Sequence, residues 1–292
     1  MVVVKGPDSA EYLQGQLTND VEALAPGEGC YAALLDRKGH LVSDMRVLRL
    51  DATGGDIWLD LEVGPSEAVL RHLRTYSLGR EVTIEDVGQP WRMVSVIGPR
   101  AAELTGFAGL APEHAQRFRD WDGTEVLGVA TNLGVDLIVR ADVVGALEQL
   151  LRDAGIAEVS EEAAEILRVE SGRPRFGVDM GPESMPAEAG LVERAVDFEK
   201  GCYIGQEPVA RLHYRGKPNR TLRGLRLGAP VASGELLLLG EKEVGRVGTA
   251  CVSPAFGPIG LAIVRREGNP GDRLAVGDGE TTAEIVELPF RD

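Results

Sequence analysis

Cysteine is scarce in this chain of 292 residues. Cys30, Cys202 and Cys251 lie far apart, make an odd number and include no C-x-x-C pair, which argues against a disulfide framework and against paired-thiol metal or redox motifs. The four histidines, His40, His72, His114 and His213, lack the spacing of a ligand set, so no metal is expected. Long apolar runs are missing too. The opening Val2-Val3-Val4 is followed by Lys5 and Asp8, so neither a signal peptide nor a membrane span is predicted and the chain reads as cytoplasmic. Neither G-x-G-x-x-G nor G-x-x-x-x-G-K-[ST] occurs, which removes the two strongest phosphate-cradling loops, and there is no G-x-S-x-G elbow. Positive charge is in deficit: 31 Lys and Arg against 46 Asp and Glu give −15. Such a chain repels polyanions on average, and nucleic acid is not an expected partner.

What remains is ordinary globular material, 43% apolar and 26% charged with 37 Gly and 16 Pro, long enough for one to three domains. Asp8 with Glu11 has the spacing of a capping box, opening a short helix that Gly15 ends, with Gln14 and Gln16 at its edge. Residues 31–35 and 40–50 read as a hairpin around the turn Asp36-Arg37-Lys38-Gly39. Past Gly54-Gly55 a strand is predicted over 57–63. Ser66 then caps a helix through Leu78 that buries Val69, Leu73 and Tyr76. Strands over 81–87, 91–97, 125–130 and 135–140 alternate with helices over 99–104 and 143–154. Without long all-apolar strands, this alternation points to α+β layers with antiparallel sheets. After Gly216-Lys217-Pro218 the chain turns to short strands over 222–227, 235–239, 244–247 and 259–264, the pattern of a small β-barrel or sandwich.

Three stretches can carry chemistry. A helix capped by Ser160 runs to Glu170, and Ala163, Ile166 and Leu167 put Glu170 on its apolar face. A carboxylate there needs a partner: either Arg173 or Arg175, or the N–H donors of a heterocyclic ligand. In Lys200-Gly201-Cys202-Tyr203-Ile204-Gly205-Gln206-Glu207-Pro208, Gly205 caps a helix with Pro208 in its first turn. Cys202 then sits before a helix N-terminus with Lys200 two residues away, a setting that favours thiolate, unless the sulfur is a small buried hydrophobe. Six cations follow, Arg211, Arg215, Lys217, Arg220, Arg223 and Arg226, with no acid between Glu207 and Glu235. They form a solvated basic face, or an anion site for a carboxylate tail or phosphates, with RNA the lesser alternative.

Lys200 to Glu207, continuing through Val209-Ala210-Arg211 to Arg215-Gly216-Lys217, resembles the signature of the YgfZ-type folate-binding proteins, relatives of the aminomethyltransferase (T-protein) of the glycine cleavage system. Tyr12-Leu13-Gln14-Gly15-Gln16-Leu17-Thr18-Asn19-Asp20, Leu35-Asp36-Arg37-Lys38-Gly39 and Arg168-Val169-Glu170-Ser171-Gly172 resemble matching motifs along the whole length. The resemblance implies an α+β fold of two α+β domains with antiparallel sheets and a C-terminal β-barrel, arranged as a three-domain ring. Its expected divisions are 1–45 with 158–216, 46–157 and 217–292. It implies bound tetrahydrofolate, a role in assembling or repairing iron–sulfur enzymes, iron–sulfur client or assembly proteins as partners, and a monomer. Cys202 and Lys200 match positions of the YgfZ branch and are the expected catalytic pair. Glu170 matches the carboxylate that holds the pterin, and Tyr203, Arg211, Gln206, Gln16 and Asp20 complete the expected folate contacts. The transferases carry an Asp in the loop after the 57–63 strand, where this chain has Glu62-Val63-Gly64-Pro65-Ser66. A folate-dependent aminomethyl- or methyltransferase is therefore the alternative.

Overall fold

The computed structural model describes residues 1–50 and 56–291, so the turn expected at Gly54-Gly55 lies outside the described residues. The chain forms two compact units. The first holds Met1–Leu35, Val42–Glu158 and Arg194–Ile204; the second holds Asp36–Leu41, Val159–Glu193 and the chain from Gly205 onward.

Strand alternation builds the first unit. Its first sheet contains β1 (Val2–Lys5), β2 (Gly29–Leu35), β3 (Leu41–Arg49), β4 (Ile57–Asp60) and β5 (Thr83–Asp86), in the order β2-β3-β4-β1-β5. Successive side chains point to opposite faces, and each face has its own core. Val2, Val4, Met45, Val47, Ile57 and Leu59 pack beneath α1 (Ser9–Gln14) and α2 (Ser66–Tyr76), against Leu13, Val69 and Leu73. Val3, Leu48 and Trp58 face the other way and meet Leu127, Val129 and Ile138 of a second antiparallel sheet. That sheet comprises β6 (Trp91–Ile97), β7 (Gln116–Trp121), β8 (Thr124–Ala130) and β9 (Gly134–Arg140), in the order β6-β9-β8-β7. Its far face packs Val126, Val135, Leu137 and Val139 with Ala101 of α3 (Ala101–Leu104) and Leu147 and Leu151 of α4 (Val144–Asp153).

Several local expectations shift. Asp8 makes no side-chain cap; its carboxylate instead accepts the Glu81 N–H at 2.8 Å, tying α1 to the entry of β5. Pro65, not Ser66, occupies the cap of α2, and the Ser66 hydroxyl donates to the Val63 carbonyl. The helix ends at Tyr76, which is 36% exposed, and Leu78 is 88% exposed beyond it. Strand β4 stops at Asp60 rather than at Val63.

In the second unit, Ser160 caps α5 (Glu161–Glu170) by accepting the Ala163 N–H at 3.3 Å. The residue that α5 buries is Val169, against Leu222, Ile259, Leu261 and Phe290. Ala163, Ile166, Leu167 and Glu170 are only half-buried, because the strands meet the helix along Val169. After the short α6 (Val192–Ala195) and α7 (Gln206–Arg215) come β10 (Arg220–Leu227), β11 (Leu236–Leu239), β12 (Lys242–Arg246), β13 (Ala250–Ser253), β14 (Gly257–Arg265), β15 (Arg273–Val276) and β16 (Thr281–Val286). They form one antiparallel sheet, β12-β11-β15-β16-β10-β14-β13, around Leu225, Leu237, Val244, Val264, Leu274 and Ile285. The sheet curls until β12 returns to β14. A Cβ at Gly245 would stand 2.7 Å from the Ile263 carbonyl oxygen, so this approach needs glycine. The fold is α+β with antiparallel sheets and a C-terminal barrel-like sheet.

Candidate functional site

The loop before α7 is shaped from behind. Asp197 donates its N–H to the Thr18 carbonyl (3.0 Å), and its carboxylate accepts the N–H groups of Glu199 (2.7 Å) and Lys200 (3.1 Å), a local turn of the kind short carboxylates stabilise. This turns Lys200 inward. Its Nζ donates to the carbonyls of Gln14 (2.8 Å), Leu17 (2.7 Å) and Asn19 (2.7 Å) and lies 5.3 Å from the Tyr203 ring centre. Three N–H groups meet three acceptors. Burial pushes the Lys200 ammonium down to about 8, against the pull of Asp20 and Asp197. All the donors of Lys200 are thus engaged on the backbone, and what it positions is the loop.

That loop presents Cys202 to solvent beside an exposed Gly201. Tyr203 turns back, is 7% exposed, and its hydroxyl has no hydrogen-bond partner among the described residues. Gly205 has φ +83 at the N-cap of α7, with Pro208 in the first turn, as the sequence predicts. The other thiols differ: burial pushes Cys30 up to about 12 and Cys251 up to about 11. Because the thiolate is the reactive form, iodoacetamide at neutral pH should label Cys202 at least about tenfold faster than Cys30 or Cys251. Peptide mass spectrometry over time checks this, and equal rates at the three thiols would contradict the exposed placement of Cys202.

A carboxyl that sequence reasoning missed lies on β3. Asp44 is 7% exposed. Burial pushes its carboxyl up, the Glu62 charge adds to that, and a hydrogen bond from the Tyr31 hydroxyl and the Arg194 charge oppose it. Arg194 in turn stacks 4.6 Å over the Tyr31 ring. The available signal was a charged residue between Ser43 and Met45, both buried, on a strand that buries six of its nine residues. Asp60, by contrast, is held by Arg46 through two N–H groups at 2.5 and 2.8 Å.

The remaining expected residues fall as follows. Gln16 is buried, with Oε1 3.2 Å from His72 Nε2. Asp20 accepts Gln14 Nε2 (3.0 Å) and the Ala23 N–H (3.1 Å), so it closes the turn after α1. In the second unit Arg168 clamps the end of α5, binding Glu165 and Asp179. Glu170 Oε1 accepts the Ser253 hydroxyl at 2.5 Å, and Oε2 takes no donor among the described residues. Arg175, one of the two partners expected for Glu170, pairs with Glu165 instead. Gln206 is the first residue of α7, and Arg211 is an exposed i,i+4 partner of Glu207. The six-cation run does not stay together: Arg220 binds Glu188 and Arg223 binds Glu287, while Arg226 donates to the Arg291 carbonyl and lies over Phe256.

Among the described residues no group of His, Cys, Asp and Glu is placed to hold a metal ion, and no helix is long and apolar enough to cross a membrane. Residues 1–200 match the GCVT N-terminal domain and residues 220–292 the glycine cleavage T-protein C-terminal barrel domain. The chain is 30% identical to an aminomethyltransferase of Rubrobacter xylanophilus, over 99% of this chain and 80% of that one. It is also 30% identical to the tRNA-modifying protein YgfZ of Klebsiella pneumoniae, over 99% and 90%. The crystal structure of glycine cleavage system aminomethyltransferase T from Bartonella henselae superimposes with a TM-score of 0.85 at 24% identity, covering 99% of this chain and 83% of that one. With both family domains matched in order along one continuous chain, this protein belongs to the glycine cleavage T-protein (GCVT) family.

Proposed function

We propose that this chain is a cytoplasmic tetrahydrofolate-binding protein that supports assembly or repair of iron–sulfur enzymes, with the Cys202 loop as its reactive part. The observation that carries the reading is the exposed Cys202 on a loop pinned from behind by Lys200, in a family member whose relatives include a YgfZ protein and aminomethyltransferases. The donor set supports a reduced folate. A pterin presents N–H groups, and Glu170 offers an oxygen that no described residue occupies. The buried Tyr203 hydroxyl, also without a partner among the described residues, suits a ligand acceptor, since an unpaired buried hydroxyl costs ~1–3 kcal/mol. Gln16, Asp20, Gln206 and Arg211 belong to the same proposal, Arg211 for the glutamate carboxylates.

Calorimetry with tetrahydrofolate is the test. Wild type should bind, and saturation at about 100 times Kd should add ~2.7 kcal/mol of stability; Glu170→Ala should weaken binding at least about thirtyfold. Cys202→Ala should bind folate normally yet fail to restore iron–sulfur enzyme activity in cells lacking the protein. An unchanged melting curve at saturating reduced folates removes the folate reading, and full rescue by Cys202→Ala removes the thiol from it.

Asp44 favours a second reading, a folate-dependent aminomethyltransferase. Such chemistry needs a group that holds and releases a proton near the folate nitrogens. The loop 62–66 lacks an Asp, but the buried Asp44 carboxyl, bonded to the Tyr31 hydroxyl, has the raised proton affinity that the role requires.

A further inference from the structure

A cleft of about 510 Å³ opens wholly within the second unit, between the segment 177–183 and the strands β10, β12 and β14. Its volume is that of sites that hold small molecules, and none of the residues assigned to folate lines it. Six charged residues do: Asp179, Glu183, Arg220, Glu243, Arg246 and Arg265. Most of them are already paired. Asp179, whose side chain is fully buried, binds Arg168 at 2.8 Å and accepts the N–H groups of Arg175 and Thr249 at 2.9 and 2.7 Å. Arg220 holds Glu188 through Nε at 3.0 Å and Nη2 at 2.8 Å, and Glu243 meets Arg246 at 3.4 Å.

One charge of each sign is left over. The Arg265 guanidinium reaches no acceptor among the described residues. Glu183 Oε1 accepts the Ser184 hydroxyl at 3.2 Å, and Oε2 takes no donor among the described residues. Arg220 links the two. Arg265 lies directly across from it in the β10–β14 ladder, a register that sets the two Cβ atoms about 5 Å apart, while the Glu183 carbonyl accepts Arg220 Nη2 at 2.8 Å. Two guanidinium groups opposite each other weaken a strand pair, and Glu188 answers only one of them. The Glu183 carboxylate folds back over Gly181, where a Cβ would stand 2.7 Å from Oε2. At the rim, Val178 is 48% exposed and Pro182 is exposed beside it.

We propose that this cleft binds a small aliphatic zwitterion, an α-amino acid or a short peptide, with its carboxylate on Arg265, its ammonium on Glu183 and its side chain against Val178. A guanidinium takes a carboxylate through two parallel N–H groups. A plain anion such as phosphate would satisfy Arg265 but would meet the carboxylates of Glu183 and Glu243, and a plain amine has the reverse fault. Charges taken from water are compensated only where each finds its opposite, and a ligand carrying both signs completes the cleft without leaving either residue over. The cleft uses neither Glu170, Tyr203 nor Cys202, so it stands or falls apart from folate binding.

Calorimetry of the full chain with L-leucine and with L-leucyl-L-leucine is the test. At least one of them should saturate a single site per chain; saturation by leucine assigns the cleft to free amino acids and saturation by the dipeptide alone assigns it to peptides, and either sustains the proposal. Isocaproate, which is leucine without its ammonium, and isoamylamine, which is leucine without its carboxylate, should each bind at least about tenfold more weakly than the zwitterion, since each loses a charge-assisted contact. Arg265→Gln and Glu183→Gln should each weaken the zwitterion at least about tenfold. The discrimination should cross over: Arg265→Gln should no longer distinguish leucine from isoamylamine, and Glu183→Gln should no longer distinguish leucine from isocaproate, a pattern that a merely structural role would not produce. Val178→Ser should weaken leucine about fourfold, roughly the effect of one buried methylene. The substituted side chains are exposed; if one variant fails to fold, the others and the two singly charged analogues decide. No saturable heat with either zwitterion overturns the proposal, as do singly charged analogues that bind wild type as tightly as the zwitterion, or folded Arg265→Gln and Glu183→Gln proteins that bind it undiminished.

Discussion

Arg46→Met should cost about 3–5 kcal/mol of folding stability, the penalty for breaking a buried charge network by removing one partner. Strand parity explains why. On β3, Arg46 shares the face of Leu48 that meets the second sheet, and the same parity brings Asp60 of β4 and Asp136 of β9 toward it. Its guanidinium binds Asp60 at 2.5 Å and Asp136 at 2.5 Å, with side chains 12%, 21% and 12% exposed. Ser95 of β6 donates to the second oxygen of Asp136 at 2.6 Å, so four strands of two sheets meet at one cation. Burial disfavours the charge on Arg46, but the two carboxylates outweigh it and hold the group above its ordinary range. Methionine would leave two carboxylates facing each other without a cation. Trp58, Trp91 and Trp121, the three tryptophans of the chain, all belong to the first unit, so tryptophan fluorescence in urea reports the unit that is affected. A loss below about 1 kcal/mol would mean that water already screens the network. Replacing Asp60 and Asp136 by Leu in the Arg46→Met background should restore most of the loss, because a well-packed apolar cluster can match a buried ion pair.

The same parity marks how much was legible in the sequence. β8 and β9 announce themselves through short stretches rich in Val, Leu and Ile, and Gly205 with Pro208 announces the start of α7. β7, with the sequence Gln-Arg-Phe-Arg-Asp-Trp, and the short strands β13, β15 and β16 carry too little periodicity to stand out. Placement was legible where it follows from neighbours in the chain, as for the exposed Cys202. It was not legible where partners are remote. The carbonyls that bind Lys200 lie 181 to 186 residues earlier, so Lys200 reads in one dimension as the neighbour of a thiol. Likewise Arg220 and Arg223 read as part of a basic cluster because Glu188 and Glu287, which engage them, stand outside any local window. Glu170 shows the converse: its helix was foreseen, but its hydrogen-bond donor, Ser253, comes from a strand the sequence did not reveal.

Lys200→Met should destabilise the first unit by about 3 kcal/mol at pH 7, and the gap should widen as pH rises. Three hydrogen bonds from a charged donor contribute ~1.5–3 kcal/mol each; against them stands the cost of keeping the ammonium buried. That cost follows from the proton balance. Burial lowers the folded-state value from 10.5 to about 8, so between these limits the unfolded chain carries a proton that the folded chain has released. Stability therefore increases with pH across this window, by up to about 3 kcal/mol for a difference of 2.5 pH units at ~1.36 kcal/mol each. Below pH 8 the penalty is fully present and the curve is flat. Methionine has no proton to release, so urea titrations of wild type and variant, followed by tryptophan fluorescence at pH 7 and pH 10, should show the difference growing at the higher pH. A difference that shrinks would mean that the carbonyls of Gln14, Leu17 and Asn19 hold the charge more strongly than burial expels it. Lys200→Arg should not rescue the loss: a planar guanidinium cannot direct three N–H groups to converging carbonyls as a tetrahedral ammonium does. If Lys200 pins the loop, then freeing it should also change the alkylation rate of Cys202, in a protein whose first unit is still folded at pH 7.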